Sequence, residues 1–320
     1  MSKIRVVFLG TPEFAVHSLE ALLKDDHYEV VGVVTQPDRP SGRKLQLTPS
    51  PVKQKALEKN LKVISPEKIT KEIREEIVSW SAEVAVVVAF GQILSEKFLQ
   101  SFQFGAVNLH ASLLPRWRGA APIQRGVEAG DKEGGVCLQV MVKKLDAGDV
   151  LGFRKVEITE HMNSLELHDI LAEKGNELLH VELMDYIRGM LIPVPQDEAQ
   201  VTYAHKIAKE ESALDWSQAA QNLHNKVRGF VWGPGTFTSY QGKRLKIHKT
   251  RVSKGPNASR QAGEIVSVND DAICVNTGSG VLEILELQPE SRSRMTCKEF
   301  LRGTPLKVGE YFGREKTHSP

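Results

Sequence analysis

The sequence predicts an α/β fold: a Rossmann-like N-terminal domain with a parallel-rich sheet, followed by a small C-terminal β-barrel that is OB-like. The chain has 320 residues, more than one hydrophobic core usually holds, so two domains are expected. Short, fully apolar strands alternate with amphipathic helices in the first half, which is typical of a parallel sheet covered on both faces. Short strands separated by Gly, Pro and Asn fill the last third, which favours a small antiparallel barrel.

The elements of the first domain follow from apolar runs and from helical spacing. The predicted strands are residues 4–10, 30–35, 63–64, 84–90, 105–110 and 136–142, and the predicted helices begin near residue 14 and cover 52–60 and 69–80. The first strand-to-helix turn, Gly10-Thr11-Pro12, lacks the GxGxxG pattern, so no dinucleotide site is predicted there.

The pattern changes after residue 149. A hairpin is predicted over 150–158 and a long helix over 164–188, and the proline-bearing stretch 192–196 indicates a linker. We therefore expect domains at 1–190 and 207–320, joined by a linker at 191–206. The elements predicted in the second domain are a helix over 217–228 and strands over 236–240, 245–252, 263–268, 272–277 and 281–287.

Composition and charge limit the classes of function. No apolar run approaches the roughly 20 residues that span a bilayer, and no signal-peptide pattern precedes the first strand. Three scattered cysteines exclude a fully paired disulfide framework, so a cytoplasmic location is expected. From residue 207 onward, 17 Lys and Arg stand against 12 Asp and Glu, whereas residues 1–206 carry 25 against 28. This asymmetry suggests a polyanionic partner for the second domain, although surface solubility would also explain it.

A pair of polar residues ends one predicted strand. Asn108 and His110 are two residues apart, so their side chains share one face and point into the crevice at the strand's carboxyl end. An amide donor beside a protonated imidazole would suit an oxygen that gains negative charge in a tetrahedral transition state. A structural histidine is the alternative interpretation.

A second candidate lies in the turn Leu145-Asp146-Ala147-Gly148-Asp149. A carboxylate near an imidazole favours the charged form of the ring and fixes its orientation, which Asp146 could do for His110. Turn chemistry alone would also explain an Asp at this position. No GxSxG or HExxH motif is present, and His161 and His168 have no partner at metal-ligand spacing, so no metal site is predicted.

The segment NLHASLLPRWRGAAPIQ, followed by LDAGD, resembles the folate-dependent formyltransferase family. FLGTPEFA, TQPDRPSGRKLQLTPSPVK and VVVAFGQIL add to this match, and with the C-terminal domain the chain resembles the tRNA-acting members of the family from end to end. The resemblance implies transfer of the formyl group of 10-formyltetrahydrofolate to the methionine amine of charged initiator tRNA, for translation initiation. We also expect a monomer that needs no metal and binds no membrane.

The resemblance assigns roles to individual residues. Asn108 and His110 would polarise the formyl oxygen, while Asp146 would keep His110 charged and help to remove the amine proton. The residues implied to line the tetrahydrofolate site are Ser112, Leu113, Leu114 and Pro115, with Phe90, Gly91 and Ile93 as the wall beside the pterin.

Two basic segments are expected to contact tRNA. Arg39, Arg43 and Lys44 lie in the proline-rich stretch 36–51, which resembles the loop that grips the acceptor stem but would otherwise be an ordinary surface loop. In the predicted strand at 243–251, Lys243, Lys249 and Arg251 should share one face, with Arg244 and Lys246 mostly on the other. The expected contacts from this strand are Lys243, Lys246 and Lys249, unless the lysines only protect a sheet edge.

Two departures from the family pattern concern the second half: His205 stands where a proline is usual, and the order of residues 228–235 differs. Three other functions remain open: formylation of an amino sugar nucleotide, hydrolysis of formyl-folate, and RNA binding without catalysis. The Asn108, His110 and Asp146 set argues against the last, and the basic segments argue against the first. Hydrolysis would use the same catalytic residues.

Overall fold

A computed structural model describes residues 3–41, 46–253 and 261–313. The chain divides into two compact units. The first comprises Met1–Pro122, Glu133–Glu157 and His168–Ala204, and the second comprises Ile123–Lys132, Ile158–Leu167 and His205–Pro320. Residues 191–204, expected to be a linker, therefore belong to the first unit.

The elements up to residue 204 begin at β1. The strands are β1 (Ile4–Gly10), β2 (Tyr28–Val34), β3 (Arg39–Ser41), β4 (Gln46–Thr48), β5 (Val63–Ile64), β6 (Val84–Val88), β7 (Ala106–His110), β8 (Arg118–Gly119), β9 (Glu133–Val140), β10 (Val150–Glu157) and β11 (Tyr203–Ala204). The helices are α1 (Glu13–Lys24), α2 (Pro51–Glu58), α3 (Lys71–Ser79), α4 (Glu96–Leu99), α5 (Pro122–Ala129), α6 (Ser164–His180) and α7 (Glu182–Ile187), with a 3₁₀ turn at Glu198–Gln200.

The main sheet of the first unit has seven strands in the order β10-β9-β7-β6-β1-β2-β5. Five of them, β1, β2, β5, β6 and β7, run parallel, whereas β9 is antiparallel to β7 and β10 is antiparallel to β9. Residues on both faces of β1 are fully buried, as shown by Val6 and Val7, which explains its continuous apolar run. The predicted Rossmann-like domain with a parallel-rich sheet is confirmed.

Two local predictions in this unit were wrong. The hairpin expected over 150–158 is the single strand β10, which pairs with β9 at the edge of the main sheet. Its alternating exposure reflects one covered and one open face rather than two short strands. The helix expected over 164–188 is divided at Val181 into α6 and α7. Val194 extends the same sheet edge through two backbone hydrogen bonds with Val150, of 2.8 and 2.9 Å.

The second unit is an antiparallel strand domain. Its elements are a 3₁₀ turn at Lys209–Ser212, α8 (Ala220–Gly229), β12 (Thr236–Tyr240), β13 (Lys243–Ser253), β14 (Ile265–Val268), β15 (Ile273–Asn276), β16 (Val281–Pro289), β17 (Met295–Thr296) and α9 (Cys297–Gly303). Strand pairing runs β12-β13-β16-β15-β14, with β17 beside β16. Leu223 and Val227 of α8 share one buried apolar cluster with the strands, so the helix covers this sheet.

A bulge in β13 corrects the predicted arrangement of its basic side chains. The register with β16 shifts on both sides of Lys249, so the alternation of inward and outward side chains slips there. Leu245, Ile247 and Thr250 are buried, whereas Lys246 and Lys249 are exposed, as is Arg251. Lys246 and Lys249, assigned to opposite faces from the sequence, therefore lie on the same exposed face.

No helix in the described parts of the chain is long and apolar enough to cross a membrane. Cys137 and Cys297 are buried and Cys274 is half-buried, and all three are free thiols. Burial raises the pKa of Cys137 to about 12, so this thiol is a core group and not a nucleophile.

Candidate active site

Asn108 and His110 lie at the end of β7, next to the point where the sheet changes from parallel to antiparallel pairing. Both side chains are almost buried, with 8% and 7% of their surface exposed. Leu109 points the other way, and a Cβ atom added to Gly175 of α6 would lie 2.4 Å from its Cδ2 atom. The shared face predicted from the two-residue spacing is therefore the face away from α6.

The structure brings Asp146 to this pair. It lies in the turn between β9 and β10, and its Oδ2 atom is 3.7 Å from Nδ1 of His110. The same Oδ2 accepts a 2.8 Å hydrogen bond from the backbone N–H of Gly119. Asp146 has a φ of 47°, in the left-handed region that most side chains avoid, so the surrounding contacts must hold its turn in place.

Both ring nitrogens of His110 face acceptors. Nε2 is 2.9 Å from the backbone oxygen of Trp117, and a carbonyl oxygen can only accept, so this nitrogen carries a hydrogen. Nδ1 faces the Asp146 carboxylate. The Asp146 contact, at 3.7 Å, is an ion-pair distance and longer than a hydrogen bond. The geometry therefore places a hydrogen on Nε2 and orients Nδ1 toward the carboxylate.

The side-chain amide of Asn108 makes no hydrogen bond to another group in the parts of the chain that the structure describes. Its hydrogen-bonding groups are therefore not committed to other side chains or backbone within the described residues. Such a group is available to bind a ligand. Asn108 and His110 thus place two hydrogen-bond donors on one face at the end of β7, an arrangement that suits the stabilisation of an oxyanion.

Three polar residues in this region were missed in the sequence. Gln139 lies opposite Asn108 on β9, is 1% exposed, and donates to Oδ1 of Asp146 at 3.3 Å. Arg118 is fully buried, and Gln196 connects it to the Asp146 turn. The sequence signal for Gln139 is a lone polar residue inside an apolar strand. Arg118 and Gln196 carry no comparable local signal, since their partners lie far away in the chain.

The loop after His110 is held by its own polar groups. Ser112 is buried and donates from its hydroxyl to the backbone oxygen of Arg116 at 2.7 Å. Leu113 packs on β9, where a Cβ atom added to Gly135 would lie 2.3 Å from its Cδ2 atom. Leu114 and Pro115 are half-buried and joined by a cis peptide bond. The four residues expected to bind folate thus form a fixed loop directly after β7.

The segment after β6, residues 90–93, contains the three residues expected to form the wall beside the pterin. The Phe90 side chain is 2% exposed and belongs to a buried apolar cluster with Val7 and Leu9 of β1. Its carbonyl accepts hydrogen bonds from Thr11 and Gln36. Gly91 has a φ of 82°, which turns the chain there. Ile93 is 94% exposed. Of the three residues expected to form the pterin wall, Ile93 has a side chain open to a ligand.

The basic residues expected to contact tRNA are partly described. Arg39 pairs with Glu67 across 2.8 Å, and both side chains are exposed. Arg43 and Lys44 lie outside the described residues. The expected contacts on β13, Lys243, Lys246 and Lys249, are all exposed.

The histidines outside the site form separate contacts. His168 lies 2.8 Å from Asp169 and packs edge-on against Phe14. Asp25 joins the end of α1 to the end of α6, because it contacts Nδ1 of His27 at 2.7 Å and Nδ1 of His180 at 2.6 Å. This three-residue cluster could not be predicted from the sequence, since His180 is far from the other two residues in the chain.

Two family models match the chain. The model described as formyl transferase matches residues 3–183, and the model for the formyl transferase C-terminal domain matches residues 206–305. Between them they cover most of both compact units.

Curated relatives match over nearly the full length. The methionyl-tRNA formyltransferase of Bdellovibrio bacteriovorus is 62% identical over 317 residues, which cover 98% of this chain and 100% of that protein. The methionyl-tRNA formyltransferase of Bacillus subtilis is 42% identical over 312 residues, with coverage of 97% and 98%.

Solved structures share the fold at low sequence identity. A sugar 3N-formyl transferase named WlaRD has a TM-score of 0.64 at 17% identity, covering 92% of this chain and 100% of that one. HypX from Aquifex aeolicus, in complex with tetrahydrofolic acid, has a TM-score of 0.62 at 17% identity, covering 98% of this chain and 51% of that one. At these identities the likeness concerns the fold alone.

Proposed function

The chain belongs to the methionyl-tRNA formyltransferases of the formyl transferase family, and we propose that it moves a formyl group from 10-formyltetrahydrofolate to the methionine amine of charged initiator tRNA. Its product is then N-formylmethionyl-tRNA, the form used to start translation. The observation that carries the assignment is the Asn108 amide, which has no partner among the described residues, on the strand end where His110 faces Asp146, in a chain 62% identical to a methionyl-tRNA formyltransferase.

The reaction needs orientation and oxyanion stabilisation more than a strong base. An α-amino group has a pKa of about 8, so a useful neutral fraction exists near pH 7. The amine nitrogen bonds to the formyl carbon, and the carbonyl electrons move to the formyl oxygen. Collapse of this tetrahedral intermediate breaks the bond to N10 of the folate, which takes up a proton as the amine loses one.

Each catalytic residue has a distinct role in this scheme. Asn108 donates to the formyl oxygen from its amide, and His110 donates from Nε2 once that oxygen replaces the Trp117 carbonyl as its acceptor. Asp146 faces Nδ1 across 3.7 Å, which favours the charged ring, and it helps to accept the proton that leaves the amine. Removal of one oxyanion donor typically lowers kcat by about 10²–10³-fold.

For the folate, Ser112, Leu113, Leu114 and Pro115 form one side of the proposed site. Phe90, Gly91 and Ile93 form the other, through backbone at the first two and through the exposed Ile93 side chain. The chemistry uses organic donors only, so we propose that no metal takes part.

For the tRNA, the exposed lysines of β13 contact phosphate groups, together with Arg39, Arg43 and Lys44 of the first unit. Basic side chains on one face suit a backbone of regularly spaced negative charges. We also propose that the chain acts in the cytoplasm as a monomer, where charged tRNA and reduced folate are both present.

The test is incubation with 10-formyltetrahydrofolate and either methionyl-initiator tRNA or the same tRNA uncharged. Formylmethionine should appear, after release from the tRNA, with the charged form alone. A third reaction contains an amino sugar nucleotide instead of tRNA and tests the alternative acceptor. Formylation of that sugar but not of methionyl-tRNA would contradict the proposal.

A further inference from the structure

The turn that carries Asp146 has an unusual conformation and needs external support. A non-glycine residue in the left-handed region costs on the order of 1–3 kcal/mol and persists when its surroundings determine it. The Asp146 carboxylate contacts Gly119 and Gln139, which fix the side chain. The backbone of the turn has a separate support.

Gln196 holds both sides of this turn. Its Nε2 atom donates to the backbone oxygen of Asp146 at 2.8 Å and to that of Gly148 at 2.7 Å. The same Nε2 lies 3.4 Å from Oε1 of Gln139. An amide nitrogen has two hydrogens, so the two shorter contacts, to the carbonyl oxygens, match its donor capacity. A Gln196 side chain in any other orientation would leave the carbonyl oxygens of the turn without this donor.

Arg118 determines which way the Gln196 amide points. Oε1 of Gln196 accepts from Nε of Arg118 at 3.1 Å and from its Nη2 at 2.9 Å. A guanidinium has no acceptor, so the oxygen of the amide must face Arg118 and the nitrogen must face the turn. Arg118 is itself fully buried and is further held by Glu198 at 2.8 Å.

We propose that Gln196 is a positioning residue, which sets the Asp146 carboxylate against His110 by fixing the backbone of the turn. The chain of contacts runs from Arg118 through Gln196 to Asp146, and all three residues lie in the first unit. Gln196 itself touches no reacting atom. The inference rests on the proposed formyl transfer, because it assigns a supporting role to one of the catalytic residues.

The most informative variant is Gln196→Glu. A carboxylate still accepts from Arg118, but it cannot donate to the two carbonyl oxygens, so the turn loses its support while the buried cation keeps a partner. We expect kcat to fall by about 10- to 100-fold, with the KM of each substrate changed by less than about 3-fold. Gln200→Glu is the matched control, since it makes the same substitution at an exposed glutamine whose amide donates to Asp197, and should change kcat by less than about 2-fold.

A double-mutant cycle with Asp146→Asn separates positioning from general stability. If Gln196 acts through Asp146, the combination of Gln196→Glu with Asp146→Asn should be no slower than Asp146→Asn alone. Additive losses would overturn the proposal, and so would an unchanged kcat in Gln196→Glu. Thermal unfolding of each variant checks that it is folded at the assay temperature, so that the rates of folded enzymes are compared. If Gln196→Glu does not fold, the cycle is repeated with Gln196→Met.

These outcomes differ from failure of the proposed function. A native chain that makes no formylmethionyl-tRNA would refute formyl transfer itself. A native chain that makes the product, with additive losses in the cycle, would refute only the positioning role of Gln196.

Discussion

At the scale of single residues, the proposed stabilisation of an oxyanion rests on two donors at the end of β7. Asn108 has an amide without a protein partner among the described residues, and His110 has Nε2 2.9 Å from a replaceable carbonyl acceptor. Their shared face was predictable because strand side chains alternate with a period of two. The approach of Asp146 was not, since its distance from His110 depends on a turn that is held from far along the chain.

We predict that His110→Ala and Asn108→Ala each lower kcat by about 10²–10³-fold, because each removes one donor that acts in the transition state. The free energy of unfolding should change little for Asn108→Ala, because the amide has no partner among the described residues. Steady-state rates with methionyl-tRNA and formyl-folate measure the effect. His161→Ala, an exposed histidine, is the matched control and should keep the native rate, whereas near-native turnover in either catalytic variant would exclude the donor role.

Asp25, which lies outside the candidate site, makes a contribution to the free energy of unfolding that depends on pH. Burial of the Asp25 carboxylate tends to raise its pKa, but hydrogen bonds from the His27 backbone, His180 and the His27 ring outweigh it, so the pKa is lowered. The unfolded chain then binds the proton first as pH falls. The stabilisation from Asp25 is therefore present above its ordinary pKa of 3.8 and is lost as pH falls through the lower native pKa.

We accordingly predict that Asp25→Asn lowers the free energy of unfolding by about 1–3 kcal/mol at neutral pH, because it weakens charge-assisted hydrogen bonds. The difference from the native chain should stay constant down to about pH 4 and narrow below it. Urea titrations at several pH values provide the measurement. Asp26→Asn, which alters a fully exposed carboxylate, should have almost no effect, and a difference that widened at low pH would contradict the assignment.

At the scale of elements, the strands of both units were predictable because short apolar runs leave few alternatives to burial in a sheet. The bulge in β13 was not predictable. The residues Ile247–Lys249 have no sequence feature typical of a bulge, and the register shift is set by pairing with β16. The bulge determines which face of the sheet the lysines of β13 occupy. Without the bulge, Lys246 and Lys249 would lie on opposite faces.

The turn between β9 and β10 depends on a close backbone approach. A Cβ atom added to Gly148 would lie 1.6 Å from the backbone oxygen of Val140. Because the clash is with backbone, no side-chain rotation can relieve it. We predict that Gly148→Ala lowers the free energy of unfolding by more than about 1 kcal/mol. The same change should lower kcat, because the turn carries Asp146.

The matched control for this turn is Gly189→Ala. Gly189 has a φ of 70°, whereas Gly148 lies outside the left-handed region, and among the described residues nothing lies within 4 Å of a Cβ atom added to Gly189. We expect a backbone cost of about 1–2 kcal/mol with an unchanged kcat. Equal losses of kcat in the two variants would show that general destabilisation, rather than the Asp146 turn, explains the effect.

At the scale of the whole molecule, the net charge of +2 divides unequally along the sequence, and the basic part includes the exposed face of β13. We predict that Lys246→Gln and Lys249→Gln weaken tRNA binding and that each reduces the salt dependence of log Kd by about one unit of slope. The rate at saturating tRNA should stay near the native value. Binding measured at several salt concentrations tests this.

The control for the charge prediction is Lys71→Gln, which neutralises an exposed lysine of the first unit. Its effect on the salt slope should be negligible. A salt slope that stayed native in both β13 variants would remove this face from the tRNA interface.

The central claim is that the formyl group passes to the amine of methionyl-tRNA and not to water. The most direct measurement is the ratio of tetrahydrofolate released to formylmethionyl-tRNA formed, followed in the same reaction with charged and with uncharged tRNA. Formyl transfer predicts one folate released for each formylated tRNA and almost none with uncharged tRNA. Equal release of folate with and without charged tRNA would contradict the account and would identify the chain as a formyl-folate hydrolase.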